Sequence, residues 1–150
     1  MRAVIQRVSK ASVRIDGETQ GAIEKGLMIL LGIHHEDQKE DVDWLVNKII
    51  QLRIFPDEEG KMNLNLADVN GNALIISQFT LHAKTKKGTR PSFIHAARPE
   101  IAIPLYTDFL TKFEQGFEKR PERGEFGAMM EVELINSGPV TIVIDTKDRN

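Results

Sequence analysis

Five consecutive residues, Ser77-Gln78-Phe79-Thr80-Leu81, place two hydroxyls and a carboxamide at the end of an apolar run, Ala73-Leu74-Ile75-Ile76. A second polar cluster, Asn136-Ser137-Gly138-Pro139-Val140-Thr141, leads into another apolar run, Ile142-Val143-Ile144. Buried polar groups cost free energy unless paired, so a strand that turns polar midway does so for a reason. Thr80 beside His82 has the composition of a hydroxyl nucleophile and its base, but the spacing argues against that pairing. Along a strand, residues i and i+2 stand about 7 Å apart, too far for a direct hydrogen bond. If strand geometry persists, Ser77, Phe79 and Leu81 share one face and Gln78, Thr80 and His82 the other. No acid lies nearby in sequence to orient the imidazole, so His82 reads as a residue at the start of a loop. The plain alternative for Gln78 and Thr80 is hydrogen bonding to a neighbouring strand. For Gly138-Pro139 it is a turn.

Composition removes other chemistries. Zero cysteines exclude disulfides, thiolate catalysis and Cys-based zinc sites. His34, His35, His82 and His95 lack a metal-ligand spacing such as H-E-x-x-H, so no metal is expected. A small-molecule esterase using Thr80 or Ser77 would need a G-x-S-x-G elbow or a comparable pattern, which the chain lacks.

The net charge of -2 disguises an uneven distribution. Between Asp68 and Glu100 there is no acid, while Lys84, Lys86, Lys87, Arg90 and Arg98 all fall there. Arg2, Arg7, Lys10 and Arg14 precede the first acid, Asp16. Phosphate binding needs local positive potential rather than a basic whole. A lysine-rich loop is usually a solvated face, but this one directly follows the polar segment 77–82.

The elements that must position these residues follow from periodicity. Met1 to Ile15 reads as a long strand, turned back through residues 18–24 by the hairpin signal Asp16-Gly17. Leu27 to Leu31 is a continuous apolar run suited to a buried strand. Asp37 with Glu40 has the spacing of a capping box ahead of Val42, Leu45, Val46, Ile49 and Ile50 at helical spacing. A short strand over Leu52 to Phe55 ends at Pro56. Asn70-Gly71 signals a type I′ turn into the strand that carries Ser77 to Leu81. A second helix holds Leu105, Tyr106, Phe109, Leu110, Phe113 and Phe117 on one side. Pro99 suits its first turn, whereas Pro104 implies a later start or a kink. Residues 126–135 and 140–145 predict two final strands with Gly138-Pro139 at their junction. Many strands and two helices without regular βαβ alternation indicate an α+β fold, and 1–150 reads as a single domain. At 41% hydrophobic and 28% charged residues the chain has a globular composition. No apolar run approaches the roughly 20 residues that span a bilayer. The start directly in a strand pattern, without a signal peptide, makes a cytoplasmic address the expectation.

Taken together and in order, the two polar segments resemble the signature motifs of the D-aminoacyl-tRNA deacylases, and the resemblance runs from the opening Met1 to Val8 as far as Thr141. It implies a deacylase-like fold, an antiparallel or mixed barrel-like sheet with two main helices, assembled as a homodimer. It also implies hydrolysis of the D-aminoacyl-tRNA ester to D-amino acid and tRNA, a chiral proofreading step, without a cofactor and without DNA as a partner. Proteins of this family are associated with a backbone-lined pocket formed by the S-Q-F-T-L segment, which Phe79 and Thr80 match, with Gln78 as support and Ser77 against the substrate. Catalysis there has been ascribed both to the threonine hydroxyl and to the RNA's own 2′-hydroxyl. With no base beside Thr80, RNA-assisted hydrolysis is favoured, aided by backbone donors worth about 3 kcal/mol each.

The resemblance further implies that Gly138-Pro139 is a cis pair inserted into the partner subunit's pocket as a chirality filter, its conformation held by Asn136 and Thr141. Met129, in Phe126-Gly127-Ala128-Met129-Met130, becomes a pocket wall, and Lys84, Lys86, Lys87 and Arg90 meet tRNA phosphates. The family often has aspartate where Ser137 stands. A filter that works by excluding side chains also implies some action on glycyl-tRNA. The alternative from another class, a non-catalytic RNA-binding dimer, lacks stacking platforms: one Trp, one Tyr and seven Phe fall mostly at helical core spacing.

Overall fold

The structure, a computed structural model, describes residues 1–149. It is organised about one long strand, β1 (Arg2–Ile15). The first half of β1 pairs antiparallel with β3 (Gly26–Gly32), and its second half with β2 (Glu18–Ile23), which returns through the left-handed Asp16 and Gly17. Along its other edge β8 (Glu131–Asp145) runs antiparallel to nearly all of β1. β6 (Asn72–Ser77) lies parallel to β3, and the short β7 (Glu122–Arg123) parallel to β6. The strand order is β2-β1-β3-β6-β7, with β8 outside β1. A small separate hairpin comprises β4 (Phe55–Pro56) and β5 (Met62–Leu64).

Two cores result. Ala3 and Ile5 of β1, with Leu27, Ile29 and Leu31 of β3, face α1 (Lys39–Gln51) and α2 (Pro99–Phe117). Register shifts in β1 on either side of Val8 reverse its inward parity. Val8, Ala11 and Val13 therefore turn to the opposite face, where Met28, Leu74 and Ile76 meet them. The strand bends there, and β2 curls back toward β7 until a Cβ on Gly21 would stand 3.0 Å from the Arg123 carbonyl. That approach gives the mixed sheet its barrel-like form and agrees with the α+β reading. The helical spacings hold too: Val42, Leu45, Val46 and Ile49 are buried on α1, and Tyr106, Phe109, Leu110 and Phe113 on α2.

Several local expectations need correction. The cap of α1 is Gln38, whose N–H donates to Asp41 Oδ2 at 2.9 Å. Asp37 instead lies buried, accepting from the Met1 amino group at 2.5 Å and from the His34 N–H at 2.7 Å. Asn70 is left-handed, but Gly71 has no positive φ, and its N–H donates to Leu66 O. The segment is thus a helical turn, not a type I′ hairpin, because β6 must enter parallel to β3. Pro104 neither delays nor ends α2; the carbonyl it fails to serve belongs to exposed Glu100, which water reaches. The short strand begins at Phe55 rather than Leu52. The two final strands are one, β8, with Gly138-Pro139 inside it. A proline is tolerated there because β8 has only one strand neighbour.

Candidate active site

The parallel strands β3 and β6 end level with one another, Leu31 opposite Ser77. Beyond them the chain does not stay extended, as expected for Ser77 to Leu81, but tightens into a 3-10 turn over Phe79–His82. The Gln78 N–H continues the ladder by donating to Leu31 O at 2.8 Å. The Leu81 N–H then donates to Gln78 O, and the Ala83 N–H to Thr80 O. The Phe79 and Thr80 amides, at the open start of this turn, have no carbonyl partner among the described residues. Gln78 Nε2 donates to Thr80 Oγ1 at 2.5 Å, so the hydroxyl is bonded to Gln78 and not to His82. Phe79 is 54% exposed and rests edge-on against Phe93.

This turn forms one wall of a cavity of about 430 Å³. Ser77, Gln78 and Phe79 line it on one side; Phe126, Met129 and Met130, from the approach to β8, line it on another. Met129 is 90% exposed, a rim rather than a core residue. No charged side chain lines the cavity, which leaves the backbone and the Gln78 carboxamide as its polar groups. Tyr106 anchors β6 from behind, its hydroxyl donating to Ile75 O at 3.2 Å. Burial pushes its pKa up to about 12.

Gly138, Pro139, Asn136 and Thr141 do not line this cavity. Asn136 holds the chain around Gly138-Pro139: its Oδ1 accepts the Val140 N–H at 3.0 Å, and its Nδ2 donates to Thr141 Oγ1 and Gln6 Oε1. The Gly138-Pro139 bond is cis, and both residues are exposed. Arg7 is a residue that sequence reasoning missed. Its Nε donates to Ser137 O at 2.9 Å and its Nη1 to Ile54 O at 2.8 Å, tying this stretch of β8 to the chain before β4. Nothing but its place in the basic N-terminal run marked it.

Lys84, Lys86, Lys87 and Arg90 are all exposed, and none forms an ion pair among the described residues. Their loop leaves the 3-10 turn directly and is pinched by two backbone bonds between Lys84 and Ser92. His82 is buried rather than at the start of a loop, with Nε2 unpartnered. Burial lowers its pKa against an opposing contribution from the Gly32 backbone. Burial and neighbouring His35 likewise lower the pKa of His34.

A barrel-like mixed sheet backed by two helices, with an uncharged pocket where free amides open at the ends of parallel strands, defines a class of α+β protein that works on its ligand through the backbone. Residues 4–145 match the family described as D-Tyr-tRNA(Tyr) deacylase. The chain belongs to that family. It is 60% identical over 149 residues to a D-aminoacyl-tRNA deacylase of Bacteroides fragilis, covering 99% of each chain. To one of Fusobacterium nucleatum it is 59% identical over 150 residues, covering 100% of this chain and 99% of that protein. Among solved structures it is similar to a c-Myc DNA unwinding element binding protein, at TM-score 0.91 and 40% identity, covering 97% of this chain and 99% of that one. A probable eukaryotic D-amino acid tRNA deacylase shares the fold, at TM-score 0.83 and 16% identity, covering 95% and 97%.

Proposed function

We propose that this protein hydrolyses the ester of D-aminoacyl-tRNA, releasing the D-amino acid and free tRNA. The observation that carries the reading is the pair of unpartnered amides, Phe79 and Thr80, at the mouth of an uncharged cavity in a chain of this family. An aminoacyl ester is labile, and its ribose carries a hydroxyl beside the scissile bond. Two preorganised donors aimed at the developing oxyanion, with the ester held in place, are then sufficient catalysis. Gln78 orients the Thr80 hydroxyl, and Ser77 and Met129 border the bound aminoacyl group. Lys84, Lys86, Lys87 and Arg90 take the acceptor-stem phosphates.

The working unit is a homodimer of single-domain chains. The outer edge of β8 has no strand partner, and Ile135 and Val143 along it are 49% and 63% exposed, which favours burial against a second copy. Gly138 and Pro139 are exposed and lie outside the cavity of their own subunit, so they are free to enter that of a partner. There they exclude the direction in which an L side chain projects, and glycyl-tRNA, having none, is also cleaved to some degree. No helix among the described residues is long and apolar enough to cross a membrane, and a tRNA substrate places the work in the cytoplasm.

The test is deacylation of D-tyrosyl-tRNA beside L-tyrosyl-tRNA, with the mass in solution measured on the same sample. Preferential release from the D-substrate by a species of twice 16.9 kDa is expected. Equal rates on both substrates, or none on either, would overturn the reading.

A further inference from the structure

Every histidine in the chain falls in one place. His34 and His35 lie in the connection from β3 to α1, and His95 lies before α2. The three rings offer nitrogens that lie within 4.8 Å of one another. His82, at the end of the 3-10 turn, presents its ring to His34 edge-on at 5.3 Å between centroids. From this cluster we infer that His34, His35 and His95 form a binding site for a divalent transition metal of the zinc class.

The geometry supports this in three ways. First, His35 Nε2 and His95 Nδ1 face each other at 3.5 Å. Two imidazole nitrogens bound to one tetrahedral zinc at about 2.0–2.1 Å stand roughly 3.3–3.4 Å apart, so this pair is nearly at ligand spacing. Second, the backbones carrying the rings are fixed to one another. The His35 N–H donates to His95 O at 3.0 Å, His34 bridges Ala96, and the Ala97 N–H donates to Ile33 O at 2.9 Å. Third, neutral imidazole is the ligand type that suits Zn²⁺, Ni²⁺ and Cu²⁺, and three such ligands leave a fourth position for water. His34 Nδ1 now accepts the exposed Glu36 N–H at 3.1 Å; ligation requires that ring to turn, with water taking over the amide. The rings are stacked at 14° to 29° and must swing modestly to aim at a common point.

The place of the site gives it a consequence. Ile33 and Ala97, which adjoin the two ligand segments, line the cavity of the candidate active site. A bound ion would staple those segments together behind that cavity. It touches none of the groups assigned to the reaction, so its role is structural.

The full chain, prepared without a histidine tag, should be titrated with Co²⁺ and Zn²⁺. One Co²⁺ should bind per chain, with the intense visible bands of four-coordinate nitrogen ligation, and Zn²⁺ should displace it. Zn²⁺ should also raise Tm, since a ligand that binds the folded state alone stabilises it by mass action. His35 is exposed, so His35→Ala leaves the fold intact, as circular dichroism would verify. That variant and His95→Ala should each lose well over tenfold in affinity, since even second-sphere changes cost about 10–100-fold. Absence of saturable binding, or binding unchanged in His35→Ala and His95→Ala, would overturn the site.

Discussion

Thr80 lies at the mouth of the cavity with its hydroxyl already engaged by Gln78, and the one histidine near it in sequence is buried and turned to other histidines. A side chain acting as base or nucleophile contributes about 10²–10⁴-fold or more. Thr80→Ala should lose far less than that in single-turnover deacylation, because the amides remain in place. A substrate ending in 2′-deoxyadenosine, charged at its 3′-oxygen, should be cleaved poorly by both forms. A collapse of the alanine variant with normal cleavage of the deoxy substrate would instead make Thr80 the nucleophile. Gly138 is the other residue whose identity matters. Its φ is +134°, and a Cβ there would stand 2.8 Å from Arg7 Nη2 and from Val140 Cγ2. Gly138→Ala should therefore destabilise the fold by about 1–3 kcal/mol in urea titration and weaken discrimination against L-aminoacyl-tRNA.

Among the elements, the loop holding Lys84, Lys86, Lys87 and Arg90 should set affinity rather than the chemical step. Replacing all four by alanine should lower tRNA affinity and flatten the log-log salt dependence by roughly 3, with hydrolysis at saturation little changed. A filter-binding series over salt concentration measures this; an unaltered slope would leave the loop a role in solubility alone. Most elements were legible because their apolar residues recur at a fixed period: β1, β3, α1 and α2 all appear where periodicity puts them. What was not legible depends on partners remote in sequence. Ser77 to Leu81 reads as strand until Leu31 is seen to end the ladder. Asp37 reads as a cap until the Met1 amino group claims it. Gly138-Pro139 reads as a break between strands because no local pattern shows β8 supported by β1 alone. The histidines carry no motif because His35 and His95 are 60 residues apart and meet only through the fold.

For the whole molecule, stability at high pH depends on Tyr106, the side chain joining α2 to the strand that leads into the site. Its folded pKa of about 12 exceeds its ordinary value of 10.0. The unfolded chain therefore releases the phenolic proton first, and stability is lost as pH rises from about 10 toward 12. Two units correspond to about 2–3 kcal/mol at most. Tyr106→Phe lacks the hydroxyl bonded to Ile75 O and should be less stable at neutral pH, but with a shallower alkaline decline in denaturant midpoints. An equally steep decline in the variant would assign the alkaline loss to other groups.

The two bonds that pinch Lys84 to Ser92 also make the chain divisible. Lys86 and Lys87 protrude beyond the pinch, where a limited tryptic cut would leave the bonded pair intact. The resulting pieces are not separate bodies. The first carries β1 and α1, the second α2 and β8, and the long β1–β8 ladder and the two helices bind one piece to the other. The nicked protein should elute from a sizing column at its uncut volume and come apart only in denaturant. Expressed as two polypeptides, the halves should find each other and restore the pocket, whose walls are drawn from both.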